Sequence, residues 1–317
     1  MSELAQHGVQ LLEINPRNEQ QRLDNFLLSK LKGVPKSRIY KLLRSGQVRV
    51  NKGRKKPDYR LQIGDMVRIP PVRMTEKDDS KAPQHLVDRV SQSVIFEDAQ
   101  LLVLNKPTGI AVHSGSKLKF GIIEMLRQAR PDDEMLELVH RLDRETSGCL
   151  VIAKSKDALN KLHQSFRDEA HRMDKIYRAV VVGRWQGAEK NIDLPLLKNT
   201  IRGGERMVEV NPEGKDARSL FMPLEYHDAL SLMEIKIFTG RTHQIRVHAQ
   251  AAGYPIAGDK KYGNSEINND LKKRGFKRMF LHAYKLSFSL KSQSGDQNYN
   301  ICAPLENEWQ TIFDEHS

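Results

Sequence analysis

The segment His140-Arg141-Leu142-Asp143-Arg144-Glu145-Thr146-Ser147-Gly148 decides how the rest of the chain is read. It lies between Leu138-Val139 and the run Cys149-Leu150-Val151-Ile152-Ala153, both of strand character, yet it is polar and carries both signs of charge. Buried charges need partners, so such a stretch between two buried strands is costly unless it lines a cleft. Asp143 has arginines nearby at 141 and 144, and a carboxylate beside cations is favoured in its charged form. An ionised, partnered carboxylate in a cleft serves as nucleophile or base. The alternative is a turn-capping aspartate with ordinary ion pairs, and the segment alone leaves both readings open.

Outward from this segment the chain from Val94 onward reads as strands with interspersed helices. Strands are expected near 94–96, 101–104, 150–153, 177–182, 219–224 and 230–238, and helices near 121–129, 156–167 and 242–252. Strands outnumber helices without regular alternation, which predicts a mixed α+β domain in place of a doubly wound sheet. Three further polar stretches interrupt the apolar pattern. Asn105-Lys106-Pro107-Thr108-Gly109 is a turn after a strand, followed by His113. Lys175-Ile176-Tyr177 opens another strand, where a lone tyrosine is ordinarily core. Gly240-Arg241-Thr242-His243-Gln244-Ile245-Arg246-Val247-His248 is a basic turn entering a helix, with Thr242 expected as N-cap and Gly253 as stop.

The front of the chain is different in kind. Leu23, Phe26, Leu27 and Leu31 recur at helical spacing, and a second helix is expected over 35–45 with Gly46 as its stop. At about 100° per residue Ile39, Leu42 and Leu43 share one face, while Arg38, Lys41 and Arg44 share the other. Val48-Arg49-Val50 alternates as a strand before the tight turn Asn51-Lys52-Gly53, and short strands are expected at Leu61-Gln62-Ile63 and 66–69. Between Arg22 and Arg73 stand 15 Lys or Arg against 3 acids, which equals the +12 net charge of the whole 317-residue chain. A face kept merely soluble would interleave signs, so this excess predicts a polyanionic partner. The charged, aperiodic stretch from Met74 to Ser93 suits a linker. The expected division is 20–80 as the front domain, 81–93 as linker and 94–317 as the second domain.

Common cofactor templates are missing. The sequence has no phosphate-loop, dinucleotide-fingerprint or serine-elbow pattern, and His243 and His248 stand five apart, which splays them on a helix. Only two cysteines occur, Cys149 and Cys302, far apart, which argues against a disulfide framework and fits a reducing compartment. No run approaches the ~20 apolar residues of a membrane helix, and the first residues have no signal-like pattern. A cytoplasmic protein with no membrane partner and no cofactor is expected.

Taken jointly, Asn105-Lys-Pro-x-Gly with His113, His140-Arg-Leu-Asp-Arg-x-Thr-Ser-Gly148, Lys175-x-Tyr177, Gly240-Arg-Thr-His-Gln-Ile-Arg-Val-His248 and Leu281-His282-Ala283 resemble the RluA-type pseudouridine synthases. The front unit resembles the S4-type RNA-binding domain, through Pro35-Lys36-Ser37-Arg38 and Val48-Arg49-Val50-Asn51. The stretches Phe120-Gly121-Ile122-Ile123-Glu124, Leu196-Leu197-Lys198-Asn199 and Gly203-Gly204-Glu205-Arg206 look closest to the type C subgroup, whose members modify several uridines of large-subunit ribosomal RNA. The resemblance implies a mainly antiparallel catalytic sheet, no cofactor, a monomer, and large-subunit ribosomal RNA as partner. It implies Asp143 as the catalytic aspartate, nucleophile or base, with Arg246 as its ion-pair partner. Tyr177 would stack on the flipped uracil and assist proton removal from its carbon 5. Arg141 would fill the gap left by the flipped base, and Leu281 would wall the base pocket. Arg241 would contact RNA locally, while Lys36, Ser37, Arg38, Lys41, Arg44 and Arg49 would hold it at a distance from the chemistry. Two rival functions are an RNA-binding factor without activity and a nucleosidase-like hydrolase pairing Asp143 with Glu145. Assay of the product separates them.

Overall fold

A computed structural model describes residues 8–31, 34–72, 80–115, 119–167, 173–202, 205–227, 229–290 and 295–314. The chain divides into two units, Met1–Lys81 and Ala82–Ser317.

The front unit contains strand β1 (Gln10–Glu13), helices α1 (Leu23–Lys30) and α2 (Lys36–Arg44), and strands β2 (Arg49–Val50) and β3 (Met66–Ile69). β3 lies between β1 and β2 in a three-stranded antiparallel sheet. The apolar faces of both helices close on it: Phe26, Leu27, Ile39, Leu42, Val50 and Val67 are buried, each worth roughly 1.5–3 kcal/mol. Gly46, at φ +69°, ends α2 as expected. Its N–H reaches the Leu43 carbonyl and the Gln47 N–H reaches that of Leu42, the paired bonds of a Schellman stop. Asn51 and Lys52 both take positive φ and close the expected turn. Two expectations are corrected. The unit begins before residue 20, because β1 contributes an edge strand. Leu61-Gln62-Ile63 is not a strand: the Gln62 N–H turns to the Asp65 carboxylate, closing a turn instead of joining the sheet.

Two of the three acids in this segment are spent inside the fold. Asp24 is buried between α1 and α2, accepting from Arg22 and from the Tyr40 hydroxyl. Asp65 accepts from Asn51 Nδ2, the Tyr59 hydroxyl and the Gln62 N–H. Among the described residues Asp24 forms an ion pair with Arg22 alone, and neither acid pairs with the cations of α2.

The second unit begins with helix α3 (Gln84–Ser91), which overturns the linker reading of 81–93. Val87 and Val90 recur three apart and bury against the core beside α4 (Ile122–Ala129), so a short apolar stripe outweighs the charged composition around it. The rest of that charged stretch, 74–79, lies outside the described residues. Strands β4 (Val94–Glu97), β5 (Leu101–Lys106), β6 (Glu137–Leu138) and β7 (Ser147–Ala153) follow, then α5 (Lys156–Arg167), β8 (Asp174–Val182) and β9 (Lys190–Asp193). Next come the hairpin β10 (Leu196–Arg202) and β11 (Glu205–Val210), then β12 (Arg218–His227), β13 (Leu230–Ile237) and α6 (Gln244–Ala251). The chain closes with α7 (Ser265–Lys273), β14 (Leu281–Leu290), β15 (Gln297–Cys302) and α8 (Glu308–Asp314).

One sheet organises this unit, in the order β4-β5-β7-β14-β8-β13-β12-β9, with β15 joined to β14 and β6 to β7. Its pairs are antiparallel except β7 with β14, so the expected mixed, mainly antiparallel α+β domain stands. β5 and β7 are buried along nearly their whole length because helices and loops cover both faces, which explains their unbroken apolar runs. β13 alternates buried with half-buried residues, as a strand with one wet face does. Gly148 sits where β7 turns parallel to β14. Its φ is +104°, and a Cβ there would lie 2.3 Å from the Ala283 carbonyl oxygen, so only glycine permits the approach.

Candidate active site

The loop carrying Asp143 leaves the sheet because a side chain interrupts the ladder. β6 pairs with β7 through Leu138 and Ile152, and the Val139 N–H still reaches the Val151 carbonyl. The return bond is diverted. Val151 N–H donates to His140 Nε2 at 3.1 Å, while the Val139 carbonyl meets His163 Nε2. The chain is thereby steered out between two sheet strands. Burial holds the His140 imidazole down to about 3, which keeps Nε2 available as the acceptor.

The turn Asn105–Gly109 then clamps the loop from one side. Lys106 is fully buried, and its Nζ donates to the carbonyls of Pro107, Ile110 and Arg144. Burial pushes this ammonium down to about 7, but three carbonyl acceptors match its three N–H groups and favour the charged form. Gly109 N–H also donates to the Arg144 carbonyl, the Thr108 hydroxyl to that of Glu145, and Arg144 Nε back to that of Gly109. Lys-Pro-x-Gly is thus a fixture of the Asp143 loop.

From the other side comes the basic turn. His243, not Thr242, stands at the N-cap of α6, in the left-handed region at φ +53° with no capping side-chain bond. Gln244 performs the anchoring: its Oε1 accepts from the Thr239 hydroxyl and the Arg241 N–H, and its Nε2 donates to Ser219 and to the Arg218 carbonyl. His248 points away from the site, bonded to Ser219 and the Leu194 carbonyl, a core residue and not a ligand.

These fixtures bring Arg246 Nη1 to 3.1 Å from Asp143 Oδ2. The partner of Asp143 is therefore neither Arg141 nor Arg144, its neighbours in sequence, but an arginine 103 residues away. Arg246 is itself held by a bidentate pair with Asp259, at 2.7 and 2.9 Å, and stacks over the Tyr262 ring. The Asp259 carboxylate is fully buried, which would raise it, yet it lies below its usual range because Arg246 and two backbone N–H groups donate to it. Burial would lower Arg246, but Asp259 and Asp143 together push it up. Asp259 and Tyr262 escaped the sequence reading; the available signal was an acid set between Gly258 and Gly263 after the apolar Ile256-Ala257.

A cavity of about 840 Å³ opens over Asp143, within the roughly 300–1,000 Å³ of ligand pockets. Arg141, Asp143, Tyr177, Arg241 and Arg246 all line it, with Lys175 and His113 on its walls. Leu281, buried on β14, closes a smaller recess with Asp143, Tyr177 and Ile237. Tyr177 reaches it from the centre of the sheet, paired with Ile235 on one side and Ala283 on the other. Burial and the Asp143 charge push its phenol up, so it stands protonated. Arg241 donates to the Asp216 carbonyl, whereas the exposed Arg141 side chain makes no hydrogen bond or ion pair with the described residues. Among the described residues no group of three or more His, Cys, Asp or Glu is arranged to hold a metal ion.

The remaining expected residues lie in the front unit. Lys36, Ser37, Arg38, Lys41 and Arg44 are exposed along α2, and the four cations have no ion-pair partner among the described residues. Arg49 is exposed on β2 and donates to the carbonyls of Gly46 and Lys52.

A family model described as RNA pseudouridylate synthase matches residues 100–251, and one described as the S4 domain matches residues 21–67. Ribosomal large subunit pseudouridine synthase C of Pasteurella multocida (strain Pm70) is 48% identical over 308 residues, covering 96% of this chain and 93% of its own. The chain belongs to the RNA pseudouridylate synthase family. The protein of the same name from Yersinia pestis is 50% identical over 302 residues, 95% of this chain and 93% of its own. Among solved structures, human RNA pseudouridylate synthase domain containing 4 superposes with a TM-score of 0.58 at 25% identity, covering 71% of this chain and 93% of that one. The RluA-type resemblance and the S4-type front module both stand. The pseudouridylate synthase match spans the Asp143 loop, Tyr177 and Arg246, so the motif residues and the cavity coincide. Gly203 and Gly204, part of the type C resemblance, lie outside the described residues.

Proposed function

We propose that this chain converts uridines of large-subunit ribosomal RNA to pseudouridine, with Asp143 as the catalytic carboxylate. The observation that carries this reading is the pairing of Asp143 Oδ2 with the doubly anchored Arg246 on the floor of a nucleotide-sized cavity. The reaction breaks the ribose C1′ to uracil N1 bond, joins C1′ to C5, and moves one proton from C5 to N1. Nothing is oxidised and no group is donated, so the chain's own side chains suffice.

Each residue has a part in that scheme. The uridine leaves its stack, at a cost of a few kcal/mol, and enters the recess walled by Leu281 and Ile237. Tyr177 lies against the uracil as a neutral phenol, a state that favours the stacking part of its expected role over removal of the carbon 5 proton. Asp143 acts at the ribose, by attack on C1′ or by removal of the neighbouring C2′ proton. Arg246 holds its Oδ2 and leaves Oδ1 for the sugar. Arg141 occupies the space the base vacates, and Arg241 takes the adjacent backbone. Lys36, Ser37, Arg38, Lys41, Arg44 and Arg49 supply salt-dependent affinity, since phosphate contacts dominate RNA binding. The enzyme works as a cytoplasmic monomer. Among the described residues no helix is long and apolar enough to cross a membrane.

Asp143→Asn keeps size and shape but removes both nucleophile and base. Pseudouridine formation on 23S RNA fragments should fall by at least about 10³-fold while RNA affinity stays within about twofold. A variant that still forms pseudouridine at the wild-type rate refutes the role of Asp143. Release of free uracil by the wild type would favour a hydrolase.

A further inference from the structure

His243 faces the same carboxylate as Arg246, and three contacts define how it does so. Its Nε2 lies 3.8 Å from Asp143 Oδ2, with the side chain 17% exposed in the cavity wall. Its Nδ1 lies 2.7 Å from the Tyr262 hydroxyl. That hydroxyl in turn accepts the Val208 N–H of β11 at 3.0 Å. Val208 takes one lone pair of Tyr262, and Nδ1 is the one acceptor within reach of the hydroxyl proton among the described residues. Donation to Nδ1 satisfies that proton, and an imidazole that accepts at Nδ1 carries its own on Nε2. His243 also occupies a left-handed backbone conformation, a strain of order 1–3 kcal/mol that persists where the surroundings impose it, typically at functional sites.

We propose that His243 is a positioning residue for Asp143: its Nε2–H and the Arg246 guanidinium hold Oδ2 from two directions, so that Oδ1 alone is presented to the ribose. The separation of 3.8 Å is longer than a hydrogen bond, and catalytic hydrogen bonds often shorten only in the substrate complex. Burial lowers the imidazole's proton affinity, as do Arg246 and Lys261, while Asp143 and Asp259 oppose them; the net shift is downward and keeps His243 neutral at neutral pH. Tyr262 selects the tautomer, and Val208 fixes Tyr262. The β10–β11 hairpin is thereby wired to the catalytic carboxylate through one backbone N–H and one phenol. The inference rests on Asp143 being the catalytic group.

The test combines single-turnover kinetics with a spectroscopic signature. His243→Phe should lower the single-turnover rate by about 10–100-fold with RNA affinity within about twofold, the effect of loosening a reacting group by a fraction of an ångström. His243→Gln, whose amide N–H reaches the place of Nε2–H, should recover most of that loss. Tyr262→Phe should lower the rate about tenfold. Nitrogen-15 NMR of the histidine-labelled wild type should find His243 protonated at Nε2, and in Tyr262→Phe a mixture of both tautomers. A wild-type rate in His243→Phe, or protonation at Nδ1 in the wild type, overturns the proposal. If His243→Phe does not fold, the glutamine and Tyr262 variants and the tautomer decide it alone. Asp143→Asn run alongside separates the failures. An active Asp143→Asn removes the catalytic reading, whereas an inactive one beside a fully active His243→Phe removes only the role of His243.

Discussion

The two units use charge in opposite ways. In the front unit the cations of α2 stand exposed and unpaired on a helix whose other face is a plain aliphatic core, and the acids that would neutralise them are turned inward at Asp24 and Asp65. In the second unit, where 34 Lys or Arg stand against 31 Asp or Glu, the decisive charges are buried and bonded: Arg246 with Asp143 and Asp259, Lys106 with three carbonyls, Arg278 with Ser147 and Glu306. Exposed charge attracts a polyanion at long range and tolerates imprecise geometry. Buried charge fixes geometry, and fails if one partner is lost. In the proposed function one region supplies affinity, the other position.

The sharpest way to break this contrast is to remove one cation from each region. Arg246→Leu leaves the fully buried Asp259 carboxylate unpaired and should destabilise the second unit by about 3–5 kcal/mol, read by denaturant unfolding. Its activity should vanish as well. Lys41→Leu should leave the unfolding midpoint unchanged. Equal effects of the two would mean that the α2 cations are structural.

Acid should separate the units next. His140 is held down to about 3 and His282 to about 4 by burial, against roughly 6.5 when unfolded. Both folded values are depressed, so the unfolded chain binds more protons below pH 6.5. The stability these groups contribute is complete above pH 6.5 and is lost as pH falls towards 4 and 3, by about 1.4 kcal/mol per unit for each histidine. Trp185 and Trp309, the chain's two tryptophans, are both buried in the second unit, so their fluorescence reports its unfolding alone. The midpoint by fluorescence should drop between pH 6.5 and 4.5, and His140→Gln should flatten that slope.

The smallest effect should come from the surface. Replacing Lys36, Arg38, Lys41 and Arg44 together by alanine should reduce the slope of log affinity against log salt by up to about 3, near 0.7 per phosphate contact on single-stranded RNA. The rate at saturating RNA should not change. A rate that falls with an unchanged salt slope would reverse the roles given to the two units.

Much of this was legible in the sequence, and the reason is local chemistry. Gly46 ends α2 because only the left-handed region closes that stop; β5 and β7 read as strands because their apolar runs are buried on both faces; and the cationic stripe of α2 follows from helical periodicity. The Asp143 segment announced itself as polar residues between buried strands. What misled was composition and proximity along the chain. The charged stretch at 81–93 hides a helix whose two valines outweigh its charges. The arginines beside Asp143 in sequence are turned elsewhere, Arg144 to the Gly109 carbonyl and Arg141 to the cavity mouth.

The sequence by itself determined the two-unit plan, the family motifs and the concentration of positive charge between Arg22 and Arg73, because each is a property of neighbouring residues or of their period. The family resemblance pointed to Arg246 as the partner of Asp143, and only the tertiary structure decided that Asp259 and Tyr262 stand behind that arginine and that His243 faces the same oxygen. Those contacts join residues brought together by strand order in the sheet, β7 beside β14 and β14 beside β8. No local preference encodes which distant turn will be folded against which.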